Sequence, residues 1–227
     1  MPGGPKNVVP PREGFWRIGR GADPLIDRRP DPETLTSSQS GNRFDSRGGD
    51  FGVLYFGADL EACFGETLAR FRPQLGLLAL IQEEWEKLGF MPVGSVPAEW
   101  RQRRTAVRVR VMSDARFLDL EDPQTIQFLR KELALGISAL GYQDLDVGLI
   151  RGPDRRVTRL IADWAFNAAG QGESLYGGIR YLSRINSDWV CWAVFHDVEL
   201  EVVDKQPITV SMPALEKVAK LFELTVH

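Results

Sequence analysis

The chain has 227 residues, 43% of them hydrophobic and 26% charged, enough to bury roughly 70% of its unfolded surface without a disulfide or metal staple. Lys+Arg 28 against Asp+Glu 31 gives a net charge of −3, which counts against a protein whose main work is gripping nucleic-acid backbones but leaves room for a local arginine pocket. The only cysteines are Cys63 and Cys191 and the only histidines His196 and His227, which excludes a Cys-based zinc site or disulfide framework and nearly excludes a His-dependent triad or multi-His metal centre.

Residues 1–14 are rich in Pro and Gly and read as a flexible arm, leaving 15–227 as a single domain. The opening MPGGPKNVVPPREG lacks the apolar stretch of a signal peptide, and no apolar run is long enough to span a bilayer. The expectation is a soluble cytoplasmic protein with no membrane contact. Phe15-Trp16-Arg17-Ile18 reads as a short strand, 19–50 as irregular, and 51–56 (FGVLYF) as a buried strand. Asp59 is placed to cap a helix whose apolar face is Leu60, Cys63, Phe64, Thr67, Leu68 and Phe71, stopped by Pro73. A second helix is predicted over 75–90, with 82–87 (QEEWEK) as its solvated face and Pro92 and Pro97 marking the loop beyond. Residues 107–112 alternate like a half-buried strand, and 123–135 read as a helix with Pro123 near its start. Val157, Leu160, Ile161, Trp164, Ala165 and Ala168 share a helical face ended by Gly170. A turn-rich stretch over 172–188 surrounds the short strand GIRYLS. A strong strand follows at 189–195 and a weaker one at 199–203. Strands and helices interleave without a repeating βαβ unit, so the pattern predicts an α+β fold.

Several motifs dissolve on inspection. Gly19-Arg20-Gly21 resembles a nucleotide fingerprint, but Pro24 follows and no helix opens. Asp50-Phe51-Gly52 has no phosphate loop or catalytic loop beside it. The basic run Arg101 to Arg104 is short and reads as exposed surface.

Three segments keep polar residues where core is predicted. One is Asn42-Arg43-Phe44-Asp45-Ser46-Arg47-Gly48-Gly49, ahead of the strand that carries Tyr55. The second is the following helix, where Glu66 lies beside Ala62 and Ala69, with Gly65 near that small-residue side, so another backbone or a ligand can approach closely. The third is Gly177-Gly178-Ile179-Arg180-Tyr181-Leu182-Ser183-Arg184. Read alone, each residue also suits a structural role: Glu66 a solvated helix position, Arg43 a surface charge, Tyr55 core, Ser183 a turn, Arg17 a strand end.

NRFDSRGGDFGVLYFGADLEACFGETL, followed by GIRYLSR and an apolar strand ending in AVF, resembles the RES-domain family, named for its Arg, Glu and Ser; the opening WRIGR matches the family's first strand. The resemblance covers about residues 15 to 200 and departs from the family where Asp45, Ser46 and Arg47 stand after the Arg. It implies a mixed, mostly antiparallel sheet with flanking helices, ADP-ribosyltransferase-like. It also implies an enzyme that degrades NAD⁺ by cleaving its nicotinamide–ribose bond, as a glycohydrolase or phosphorylase, commonly the toxin paired with a helix-turn-helix antitoxin. The alternatives are ADP-ribosyl transfer to a protein or small-molecule acceptor, or a non-catalytic nucleotide-binding module. NAD⁺ is substrate in this reading, inorganic phosphate is a candidate co-substrate, and no cofactor or metal is implied. A homo-oligomer is compatible with it.

Carried over, Arg43, Glu66 and Ser183 are catalytic, with Arg17 and Tyr55 binding substrate. Nicotinamide leaves NAD⁺ without a general acid, so the demand falls on the ribose, which becomes oxocarbenium-like. Glu66 would stabilise that charge, while Arg43 and Arg17 would fork onto the pyrophosphate. Tyr55 would offer a flat face to nicotinamide. Ser183 would orient Glu66 or bond the nicotinamide amide.

Overall fold

The computed structural model describes residues 4–26, 29–73, 76, 93–170 and 173–227. The helix expected over 75–90, with its 82–87 face, lies outside the described residues except for Gly76.

In chain order the strands are β1 (Asn7–Val8), β2 (Phe15–Arg20), β3 (Val53–Gly57), β4 (Ser95–Val96), β5 (Arg104–Val111), β6 (Phe117–Asp119), β7 (Ala169–Gly170), β8 (Glu173–Ser174), β9 (Gly178–Leu182), β10 (Val190–Phe195), β11 (Leu200–Pro207) and β12 (Thr225–Val226). Eight of them form one sheet in the order β1-β6-β9-β10-β3-β2-β5-β11. Its pairs are antiparallel except β6 with β9. With the helices packed against the face of this sheet that carries Ala193 and Ile18, the fold is the α+β class that the interleaved pattern predicts. Within the stretch read as an arm, β1 pairs with β6, and the Lys6 N–H donates to Thr125 Oγ1 at 2.9 Å, which ties it to the sheet edge.

The two-residue period of β10 divides the core. Cys191, Ala193 and Phe195 face a layer built with the helices Pro123–Glu132 and Arg155–Asn167. Trp192 and Val194 face a cluster with Phe15, Val107 and Phe117, in which the Trp192 ring lies 5.5 Å from Phe15 and 5.2 Å from Phe117. A third cluster joins the helix Leu60–Leu68 to the C-terminal helix Pro213–Leu221 through Phe64, Leu68, Leu215 and Val218.

One irregularity positions the site. β3 runs alongside β10 over five paired residues but meets β2 at a single pair, Trp16 opposite Gly57. Beyond that pair the two strands part, and the Arg17 side chain crosses the opening to the Tyr55 carbonyl.

Candidate functional site

Glu66 owes its place to its own helix. The Asp59 carboxylate accepts from the Ala62 N–H at 2.8 Å and starts the helix one turn after β3. Gly65 then permits a close approach, because a Cβ there would lie 2.1 Å from the Trp189 ring. The Trp189 carbonyl accepts from the Ser183 N–H at 2.9 Å, so the turn between β9 and β10 is drawn down onto the helix. The result is a hydrogen bond from Ser183 Oγ to Glu66 Oε1 at 2.5 Å. Ser183 is 1% exposed, and its oxygen also accepts from the Ile185 N–H at 3.0 Å. Glu66 itself is exposed, with one carboxylate oxygen spent on the serine.

Arg43 arrives on a loop held from four directions. The Phe44 N–H donates to the Tyr55 hydroxyl at 2.9 Å, and that hydroxyl donates to Asp45 at 3.3 Å. Asp45 also takes the Asn42 N–H at 2.5 Å. From the helix Arg155–Asn167, Thr158 donates its hydroxyl to the Arg43 carbonyl and Arg159 donates to the Asn42 carbonyl at 3.1 Å. The Arg43 guanidinium lies over the rings of Tyr181 and Phe44 at 4.8 and 5.2 Å and donates to the Ile150 carbonyl, while its buried Nε has no partner among the described residues. Asp45 and Ser46, where the sequence departs from the family pattern, are buried parts of this scaffold: Ser46 Oγ accepts from the Asp50 N–H at 3.0 Å. Arg47 turns outward and pairs with Asp163.

Together these residues line a cavity of about 670 Å³. Arg17, Arg43, Tyr55 and Glu66 all face it, and Ser183 lies behind Glu66. Arg72, Arg155 and Arg184 add three more guanidinium groups, and Glu66 is the sole carboxylate among the described lining residues. Sequence reasoning passed over Arg155 and Arg72. Arg155 opens a helix behind an ordinary Asp154 cap, and Arg72 follows a 3₁₀ turn (Ala69–Phe71), so neither carries a local signal of function.

Two expected binding groups have structural duties as well. Arg17 donates to the carbonyls of Pro24 at 2.8 Å and Tyr55 at 3.0 Å, which braces β2 against β3, and burial lowers its pKa. Tyr55 gives its hydroxyl to the Arg43 loop. Burial, followed by the charge of Asp45, holds that phenol well above the ordinary tyrosine range. The two cysteines also line the cavity, but burial pushes Cys63 up to about 12 and Cys191 well above the ordinary thiol range, so neither is a thiolate at neutral pH. Among the described residues no group of His, Cys, Asp or Glu is arranged to hold a metal ion, and no helix is long and apolar enough to cross a membrane.

The geometry is therefore a lone carboxylate, oriented by a buried hydroxyl, inside an arginine-rich cavity. Such a site can stabilise a developing cation while holding an anionic ligand. The RES domain model matches residues 15–213. No curated protein matches the chain. A chain of the crystal structure of the M. tuberculosis MbcT–MbcA toxin–antitoxin complex is similar at 14% identity, covering 96% of this chain and 90% of that one, with a TM-score of 0.44.

Proposed function

This chain belongs to the RES-domain family, and from that premise we propose that it cleaves the nicotinamide–ribose bond of NAD⁺. The observation that carries this reading is the Ser183 Oγ to Glu66 Oε1 hydrogen bond at the wall of the arginine-lined cavity. In the reaction the ribose C1′–N bond breaks and its electron pair leaves on the nicotinamide nitrogen, which becomes neutral. Positive charge develops at C1′ and the ring oxygen. An oxygen of water or phosphate then forms the new bond at C1′ and releases its proton to solvent. Ser183 fixes one oxygen of Glu66 and so settles the direction of the other. A carboxylate held in place before the bond stretches costs no reorganisation when the charge appears. Arg43, stacked and partly buried, supplies a fixed cation for the substrate's pyrophosphate.

Family likeness also supports the role of a toxin restrained by an antitoxin. Five arginines around one carboxylate would suit an acidic segment of that partner as well as a pyrophosphate. The test measures NAD⁺ loss with purified protein and identifies the product by mass spectrometry. ADP-ribose assigns water as acceptor, its 1″-phosphate assigns phosphate, and a labelled acceptor assigns transfer instead of degradation. Glu66→Gln should lower the rate on the order of 10²–10³-fold with the fold intact. Expression of the chain alone in a bacterial host should deplete NAD⁺ and slow growth, and the Glu66→Gln form should do neither. Stable NAD⁺ with folded wild-type protein overturns the proposal.

A further inference from the structure

Arg20 and Arg104 stand directly opposite one another in the β2–β5 ladder. Like charges at that position repel and destabilise a sheet. Arg70 joins them from the 3₁₀ turn after the Glu66 helix, and all three line two adjoining grooves of about 530 and 470 Å³. Of the acids that line these grooves, Glu99 pairs with Arg103, Asp23 accepts from the Leu25 N–H through one oxygen, and Glu66 accepts from Ser183. Among the described residues no ion pair reaches Arg20, Arg70 or Arg104. Arg104 is also not the exposed surface charge that its place in a basic run suggests. It lies 4.7 Å over the Trp100 ring and donates to the Trp100 carbonyl at 2.7 Å, which fixes its direction. Burial first, then the charges of Arg20 and Arg70, push its pKa down to about 10.

The larger groove is continuous with the site, since Arg17, Tyr55 and Glu66 line it too. Arg70 follows Glu66 by four residues, across the change from α-helix to 3₁₀ turn, and both side chains line this groove. We propose that Arg20, Arg70 and Arg104 extend the cation surface of Arg43 into an anion subsite that shares the phosphate groups of a ligand whose reacting ribose lies at Glu66. The identity of that ligand rests on the reading of the site as NAD⁺-cleaving; the subsite itself rests on the gathering of three arginines that no ion pair reaches among the described residues.

Calorimetric titration of inorganic phosphate, inorganic pyrophosphate and ADP-ribose into wild type and Arg20→Ala/Arg70→Ala tests it. Both replaced side chains are exposed, and removing one partner of a repelling pair should not lower the melting temperature. Arg70→Glu, outside the ladder, is a second variant should the first fold poorly. Each phosphate-bearing ligand that occupies the subsite should lose on the order of tenfold or more in affinity. Tighter binding of ADP-ribose than of inorganic phosphate places the substrate's own phosphates there, and the reverse places a free phosphate there. Equal affinities in wild type and variants overturn the subsite, as does binding of a decaglutamate peptide in place of all three phosphate ligands. Pyrophosphate binding lost in the variants but with no NAD⁺ consumption by wild type keeps the subsite and removes the NAD⁺ reading. NAD⁺ consumption with unaltered binding removes the subsite alone.

Discussion

Tyr55 shows how a single side chain serves packing and site together. It lies in the apolar strand β3, yet its hydroxyl accepts from the Phe44 N–H and donates to Asp45, so the loop that presents Arg43 hangs from it. A run such as VLYF announces a buried strand but says nothing of where a phenol oxygen goes, because that depends on a loop ten residues upstream folding back across it. Arg43, Glu66 and Ser183 pose the same difficulty at longer range. Ser183 and Glu66 are 117 positions apart, and no local period records their meeting. Family likeness, not spacing, is what made those three legible. Tyr55→Phe should leave the Phe44 N–H without its partner and Asp45 with one donor fewer. Loss of a buried partner costs about 1–3 kcal/mol, so the urea midpoint should fall accordingly while the strand register is kept. A midpoint within experimental error of wild type would show that the hydroxyl does not hold the loop.

The Glu66 helix depends on a residue with no side chain. Gly65 faces Trp189 so closely that a methyl group there would sit 2.1 Å from the ring, and the rigid indole is wedged between the helix and Phe222. Gly65→Ala raises intrinsic helix propensity by about 1 kcal/mol, but overpacking of 1–3 kcal/mol works against it, at about the same scale or larger. The expected outcome is a lower melting temperature. Activity should be lost at temperatures where the protein is still folded, because the displaced Trp189 carries the turn that delivers Ser183. Unchanged melting and unchanged NAD⁺ turnover would mean that the turn does not need the glycine. Elements with a sustained apolar period were readable from sequence: β3, β10 and the helix Arg155–Asn167 lie within a few residues of their expected places. The rest escaped for physical reasons. β6 has three residues and gains its stability by joining β9 in parallel, a partner 61 positions away. The helix Pro213–Leu221 has only about two turns and no side-chain cap, and its apolar residues Leu215 and Val218 become a face in the cluster they share with the Glu66 helix. The helix predicted over 123–135 is broken at Leu133 into Pro123–Glu132 and Ala134–Ala139, a break that periodicity alone does not mark.

At the scale of the molecule, the cavity wall and the core behind it share weak acids kept neutral by burial. Cys63, Cys191, Tyr55 and Tyr181 all have pKa values raised above their ordinary ones, with burial the leading cause in each. A group whose pKa is raised on folding contributes stability that is whole below its unfolded pKa and drains away as pH climbs towards the folded one. For Cys63 that interval runs from 9.0 to about 12. Above pH 9 the unfolded chain releases thiol protons that the folded chain retains. Each retained proton costs about 1.4 kcal/mol per pH unit. With Cys63 and Cys191 both retaining theirs, and the unfolded thiols half deprotonated at pH 9, stability should fall by about 2 kcal/mol between pH 9 and 10, just short of the range where Arg104, shifted the opposite way, would begin to offset it. Urea unfolding at pH 8, 9 and 10 measures the slope. A Cys63→Ala/Cys191→Ala protein, though less stable at pH 8 for its lost packing, should show a markedly shallower decline. Parallel curves for the two proteins would mean that the thiols are not sealed in the core and that the wall of the cavity is open to water.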